Sequence, residues 1–230
     1  AYAVPAEFWA AATTRVREKF PEAIFLGEMI HGDYADFAQR SGLDSITQYE
    51  LWKAIWSSIR DGNFFELSHA LDRHRTFSAR ARMQTFVGNH DVDRIATTVG
   101  SRGSALAHAV LLTLPGLPSV YYGDEQGVTG AKGAGFGADD ALRPALPDSP
   151  GGEESAAPWL FDTVAALIQL RREHPWWAGA GLEVLAVAHE ELSYRLHTAD
   201  HSAEVSLRLG VDYSARISVD GVIRFDQVWQ

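Results

Sequence analysis

The feature that most constrains the fold is an alternation of short apolar runs with longer amphipathic segments over the first 177 residues. Four segments have the length of strands: 23–27, 43–46, 83–87 and 119–122, and the first of them is an apolar run. Runs of this kind, without polar alternation, are typical of parallel strands covered on both faces. Apolar residues at helical spacing predict four helices: 6–20, 49–59, 105–114 and 159–173. The sequence therefore predicts an α/β fold with four strand-helix units of a parallel barrel, of which a closed barrel needs eight.

The character of the sequence changes after Pro175, where strand-length segments are separated by turn residues. The segments are 182–187, 192–197, 205–209, 215–219 and 222–225. They predict a small antiparallel, sandwich-like β domain. We therefore divide the chain into a barrel part, residues 1–177, and a β domain, residues 178–230. A Gly-, Asp- and Pro-rich stretch at 127–158 is too long for an ordinary connection, which predicts a functional or mobile loop.

Composition excludes several classes of partner. The formal charge of −10 repels nucleic acid and anionic membrane surfaces, so we expect neither as a partner. The sequence contains no apolar run of the roughly 20 residues that a membrane-spanning helix needs. There is no cysteine, which excludes disulfides, thiolate metal sites and cysteine nucleophiles. The cellular compartment stays open.

Polar side chains gather where the predicted strands end. Glu28 follows the first strand, the sequence Gly-Asn-His-Asp ending at Asp91 follows the third, and Asp124 follows the fourth. Active sites of α/β barrels lie at this carboxyl end of the strands. Each group also has a simpler interpretation, because a single carboxylate after a strand is often a cap or a surface group, and Asn-His-Asp can form a turn.

Three motifs in this order carry a resemblance that favours the functional interpretation. Phe25–Glu28, Phe86–Asp91 and Gly116–Glu125 closely resemble motifs of glycoside hydrolase family 13, the α-amylase family. The resemblance extends from Ala1 to about Trp177 and implies strands five to eight of a (β/α)8 TIM barrel, followed by a C-terminal antiparallel β domain. It implies that Glu28 is the general acid, that Asp91 stabilises the transition state and that His90 holds a sugar hydroxyl.

The family nucleophile is an aspartate after the fourth barrel strand, in an Arg-x-Asp motif that relatives continue with Ala-Ala-Tyr-Ala-Val-Pro. Residues Ala1–Pro5 resemble the end of that continuation. We therefore expect the nucleophile and the first four strands to lie upstream of Ala1. The N-terminal half of the same barrel is then an expected partner, and the chain alone is expected to be inactive and poorly stable.

Four further residues are candidates for substrate binding. His31 follows Glu28 closely and either lines the sugar groove or is solvated. Tyr2 and Tyr34 lie in predicted loops beside the strand ends, where sugars could stack on them. Arg94 either braces Asp91 electrostatically or forms an ordinary surface ion pair.

The implied activity is hydrolysis, with retention, of α-glucosidic bonds in starch-like or malto-oligosaccharide substrates. A transglycosylating relative, such as a trehalose- or maltose-converting enzyme, would carry the same residues, and a non-catalytic barrel protein that serves as a partner subunit is a third possibility. No cofactor is expected. We predict no metal within the chain, because residues 1–5 lack the Lys-His pair next to which many α-amylases bind calcium.

Overall fold

A computed structural model describes residues 1–145 and 157–230. Within them, the first strands form a parallel sheet in chain order, with edges at β1 and β4. Its strands are β1 (Leu26–Gly27), β2 (Ser45–Thr47), β3 (Arg82–Phe86) and β4 (Leu117–Ser119). Residues 146–156 of the predicted 127–158 loop lie outside the described part of the chain. The parallel arrangement of the four strands is confirmed.

The four predicted helices are also present, and two further helices accompany them. The helices are α1 (Ala6–Lys19), α2 (Tyr34–Ser41), α3 (Tyr49–Arg60), α4 (Phe65–Ser78), α5 (Ile95–Thr113) and α6 (Pro158–Glu173). The sequence analysis missed α2 and α4. Helix α2 carried local signals: Asp33 caps it by accepting from the amide of Asp36, and Gly42 ends it in the left-handed conformation. Helix α5 begins ten residues earlier than predicted and is kinked at Gly100.

Two predicted strands are shorter or shifted. The run 23–27 is paired only from Leu26, because the carbonyl oxygen of Phe25 accepts from the amides of Asp44 and Ser45 outside the regular ladder. The run 119–122 is displaced to Leu117–Ser119. This strand includes Pro118, which has no amide to donate to a neighbouring strand.

The C-terminal segments form one antiparallel sheet in which each strand pairs with the next along the chain. Its strands are β5 (Gly181–Val187), β6 (Glu191–His197), β7 (Ser202–Arg208), β8 (Tyr213–Val219) and β9 (Val222–Trp229). The five predicted strands are confirmed, but the sandwich-like arrangement is wrong for the described residues. In place of a second sheet, helices α4 and α5 cover the buried face.

Two apolar clusters stabilise these layers. The large core joins α3, α4, α5 and α6 to the inner face of β6–β8, and the hydroxyls of Thr113 and Tyr194 meet there at 2.5 Å. The small core lies below β1, β2 and β3, and all of its fully buried members fall between Met29 and Met83. No helix among the described residues is long and apolar enough to cross a membrane.

The turn between α5 and β4 is fixed by one side chain of α6. The guanidinium of Arg171 donates to the carbonyl oxygens of Leu112, Leu114 and Gly116 at 3.0, 2.8 and 2.9 Å. Burial lowers the pKa of Arg171 to about 10. Because these carbonyls end a helix and have no partner within it, Arg171 satisfies groups that would otherwise be unpaired.

Gly116→Ala is expected to lower the free energy of unfolding by about 3 kcal/mol. Gly116 has φ +102, and a Cβ there would lie 2.5 Å from the carbonyl oxygen of Met83. Gly62→Ala is the matched control, since its φ is +64 but nothing lies within 4 Å of the added atom. Urea unfolding of the control should show a free energy of unfolding lower by only about 1 kcal/mol. Equal losses for both variants would contradict the close approach to Met83.

Candidate active site

The segment after β1 is attached to the end of β2. The amide of Met29 donates to Thr47 Oγ1 at 2.9 Å, and the same hydroxyl donates to the carbonyl oxygen of Met29 at 3.2 Å. Glu28, between β1 and this attachment, is therefore held at the carboxyl edge of the parallel sheet.

A chain of hydrogen bonds crosses this edge. Tyr49 Oη donates to Glu28 Oε1 at 2.8 Å, and Asn89 Nδ2 donates to Tyr49 Oη at 2.8 Å. The Asn89 side chain then accepts the amide of Asp91 through Oδ1 at 2.9 Å. Burial, and then the hydrogen bond to Glu28, raise the pKa of Tyr49, so its hydroxyl stays protonated and can donate. The structure thus links Glu28 to the Asp91 backbone through two side chains.

Asp91 lies among basic side chains. His90 Nε2 is 3.5 Å from Asp91 Oδ1, and Arg143 Nη2 is 3.4 Å from the same oxygen. Arg143 is itself held by Asp139 at 3.2 Å, and Lys132 Nζ donates to the carbonyl oxygen of Asp91 at 3.0 Å. Lys132, Asp139 and Arg143 all come from the segment after β4, so that segment packs on the loop that carries Asp91.

Tyr2 and His31 lie together at the surface, whereas Tyr34 is buried. The rings of Tyr2 and His31 meet edge to face at 5.2 Å, and both residues are exposed. Tyr34 is only 1% exposed, donates to the carbonyl oxygen of Ile30 at 2.7 Å and packs edge to face on Phe77. The prediction that Tyr34 is a stacking platform is wrong, because it begins α2 and points into the small core.

The surroundings of Arg94 contradict both interpretations that the sequence offered. It is fully buried and pairs with Asp124 at 3.0 Å, so it neither braces Asp91 nor lies in a surface ion pair. Its planar group lies over the rings of Tyr121 and Tyr122, at 4.2 and 4.9 Å from their centroids. The fold brings Arg94 to the end of β4, behind the loop that carries Asp91.

A groove of about 980 Å³ adjoins the hydrogen-bonded chain, on the side of Tyr49. His31, Trp52 and His69 are among its lining residues, while Glu28 and Asp91 are not. Trp52 stacks on Phe86 at 6.2 Å and stays partly exposed towards the groove. In residues 1–145 and 157–230, no group of three or more His, Asp or Glu side chains has an arrangement suited to a metal ion.

Sequence reasoning missed Tyr49 and Lys132 as neighbours of the candidate acids. Tyr49 begins a predicted amphipathic helix and gave no sign that its hydroxyl would lie between two strand ends. Its neighbour in sequence, Gln48, contacts His74, and burial lowers the pKa of that histidine to about 4. Only its position three residues after the end of the predicted strand 43–46 could have drawn attention to Tyr49.

The α-amylase catalytic domain profile matches residues 4–162 of this chain. The chain therefore belongs to the α-amylase family. It is 31% identical to a maltogenic α-amylase of Bacillus acidopullulyticus over 182 residues, 76% of this chain and 29% of that protein. It is 28% identical to a cyclomaltodextrin glucanotransferase of Niallia circulans over 199 residues, 84% of this chain and 26% of that protein.

Solved structures show the same fold. A cyclic α-maltosyl-(1→6)-maltose hydrolase from Arthrobacter globiformis, in complex with that sugar, superposes with a TM-score of 0.79 at 24% identity. The match covers 93% of this chain and 48% of that protein. An α-amylase from H. orenii gives a TM-score of 0.73 at 21% identity, over 91% of this chain and 48% of that structure. The chain thus spans under a third of the curated relatives and about half of these solved structures.

Proposed function

We propose that this chain is the C-terminal half of the catalytic (β/α)8 barrel of a retaining glycosidase that cleaves α-glucosidic bonds in malto-oligosaccharides or starch. One observation carries the proposal: a chain of hydrogen bonds links Glu28 to the Asp91 loop through Tyr49 and Asn89 at the carboxyl edge of a parallel sheet. Membership of the α-amylase family supports it, since the matched relatives are named as amylases and glucanotransferases.

In this mechanism Glu28 gives its proton to the leaving glycosidic oxygen and later takes a proton from the attacking water. Asp91 stabilises the positive charge that develops on the sugar ring, and His90 donates to a hydroxyl of the same sugar. Tyr49, which donates to Glu28, fixes the direction in which that carboxyl points. The nucleophilic carboxylate comes from the other half of the barrel.

The edges of the four-stranded sheet support the proposal of a partner half. Ile24 and Leu26 beside β1 are 79% and 52% exposed, and Leu117 on β4 is 39% exposed. An open parallel sheet with apolar edges exposes unpaired backbone groups, which pairing with further strands would satisfy. We propose that four N-terminal strands cover them. The division into a barrel part, 1–177, and a β domain, 178–230, belongs to the same proposal.

Transglycosylation is the second candidate, and the similarity to cyclomaltodextrin glucanotransferases favours it. The two reactions differ in the acceptor, which is water in one and a sugar hydroxyl in the other. The test is product analysis on maltoheptaose by a protein that contains both barrel halves. Shorter linear sugars alone would support hydrolysis, and longer or cyclic products would support transfer. Absence of turnover on any α-glucoside would contradict both and favour a non-catalytic partner protein.

A complementation experiment tests the proposed halves. Activity should appear when this chain is mixed with a separately produced N-terminal half, and neither piece should be active alone. If this chain alone hydrolysed starch as a folded monomer, the proposed division of the site would be wrong, and another carboxylate such as Asp33 or Asp44 would have to be the nucleophile.

Tyr49→Phe is expected to lower kcat by about 10-fold while KM changes little, because one hydrogen bond that orients Glu28 is lost. Tyr213→Phe, on the second sheet, is the matched control. An unchanged kcat in Tyr49→Phe would contradict a role of Tyr49 in orienting the acid.

A further inference from the structure

The loop that carries Asn89, His90 and Asp91 runs from Gly88, after β3, to Arg94, before α5. Both ends of this loop contact the same carboxylate, that of Asp124. Asp124 begins a short 3-10 turn after β4 and is fully buried.

The contact at the first end is steric. A Cβ atom at Gly88 would lie 2.1 Å from Asp124 Oδ2, so the carboxylate packs directly against the Gly88 backbone. No side chain larger than hydrogen fits at that position while Asp124 keeps its place. The close packing fixes the direction in which the chain leaves β3 and enters the Asn-His-Asp sequence.

The contact at the second end is an ion pair. Arg94 Nη1 donates to Asp124 Oδ1 at 3.0 Å and also to the carbonyl oxygen of Tyr122. The amide of Arg94 donates to the carbonyl oxygen of Gly130 at 2.9 Å. Arg94 is therefore held by its side chain and its backbone, and the distance between the two ends of the loop depends on Asp124.

This arrangement is costly for stability. Burial raises the pKa of Asp124 to about 7, against the opposing effect of Arg94. Within the described residues, Asp124 Oδ2 and Arg94 Nε and Nη2 have no hydrogen-bond partner. Buried ion pairs can often be replaced by uncharged groups of similar volume without loss of stability. A contribution to stability therefore does not explain why Arg94 and Asp124 form a buried pair. Their contacts with both ends of the Asp91 loop indicate instead that the pair fixes the geometry of that loop.

We propose that Asp124 is a positioning residue, which acts through Gly88 and Arg94 to hold Asn89 and Asp91 in their reactive geometry. The expected effect on the reaction rests on the proposed function. The expected effect on the structure of the Asp91 loop does not. Asp124 is buried behind the loop, so its effect on the reaction is transmitted by the loop backbone.

The main test is the double variant Arg94→Met with Asp124→Asn, in the protein that contains both barrel halves. Removing both charges together leaves no unpaired buried ion, but the Tyr122 carbonyl oxygen loses its donor, so the thermal midpoint should fall less than in the single variant Asp124→Asn. We expect kcat to fall by about 10-fold or more, with KM changed less than about 3-fold, because small displacements of reacting groups are costly. The single variant Asp124→Asn should unfold at a lower temperature, since it leaves Arg94 unpaired.

A second measurement does not depend on activity. The Asp91 amide, which donates to Asn89 Oδ1, should exchange its hydrogen about 10-fold faster in the double variant, because the loop opens more readily. If the parent protein cleaves no α-glucoside, the proposed function fails, while this exchange rate still tests the inference. The control is Arg216→Met with Asp226→Asn, an exposed pair on the second sheet at 2.8 Å. It should change neither kcat nor Asp91 exchange.

A folded double variant with the kcat and the Asp91 exchange of the parent would overturn the inference. If the double variant does not fold, Gly88→Ala tests the same contact, because its Cβ would displace the Asp124 carboxylate. Faster Asp91 exchange in Gly88→Ala would support the inference, and unchanged exchange would overturn it.

Discussion

Glu28→Gln is expected to reduce kcat on malto-oligosaccharides by about 10²- to 10⁴-fold, the usual contribution of a general acid and base. The amide keeps the shape of the side chain and can still accept from Tyr49, so the fold should be retained. An α-glycosyl fluoride should lose much less rate in the bond-cleavage step, because its leaving group needs no proton. Steady-state and burst kinetics on both substrates would measure the difference.

Glu204→Gln is the matched control, since Glu204 lies on β7, outside the candidate site, and pairs with Arg195 at 2.7 Å. It should leave both rates unchanged. Equal losses on the fluoride and on malto-oligosaccharides in Glu28→Gln would show that Glu28 does not deliver a proton to the leaving group, and would assign it a binding role instead.

Asp91→Asn is expected to lower kcat by about 10²- to 10³-fold, the range found when one electrostatic stabiliser of a transition state is removed. The amide has the same volume but no charge to oppose the positive charge on the sugar ring. It would also lose the charge facing Arg143 Nη2 at 3.4 Å. Binding of a transition-state analogue should weaken by about the same factor as kcat/KM, whereas binding of maltose should change less.

Asp93→Asn is a close control for this experiment. Asp93 lies two residues further along the same loop, is exposed, and accepts the amide of Lys132 at 2.6 Å. Its variant should retain most of the activity. If Asp91→Asn and Asp93→Asn had equal effects, the charge of the loop as a whole, and not the Asp91 carboxylate, would determine the rate.

The parallel sheet and the carboxyl edge with Glu28 and Asp91 could be predicted because their signals are local. A short apolar run that ends in a carboxylate is visible in five or six consecutive residues. The burial of Tyr34 could not be predicted in this way, because it depends on Phe77, which lies on a helix that was not recognised. Arg94 had no local sign of its partner either, since Asp124 lies thirty residues away.

The same argument applies to Tyr49. Helical spacing predicted the helix that it begins, but its hydroxyl lies between Glu28 and Asn89, which come from two other strand ends. Only the register of the parallel sheet brings these three segments together. Local patterns therefore did not predict the side-chain contacts between segments distant in sequence, which form the main part of what was missed in the candidate site.

The two apolar cores also determine the order in which the chain can fold during synthesis. The buried members of the small core lie between Met29 and Met83, so that core is complete once this segment has left the ribosome. The large core needs β8, and Ile217 follows Met83 by roughly 7 to 25 s at ordinary translation rates. During that interval the faces of α4 and α5 that pack on the second sheet are uncovered. The nascent chain therefore exposes its apolar helix faces most between completion of the small core and synthesis of β8.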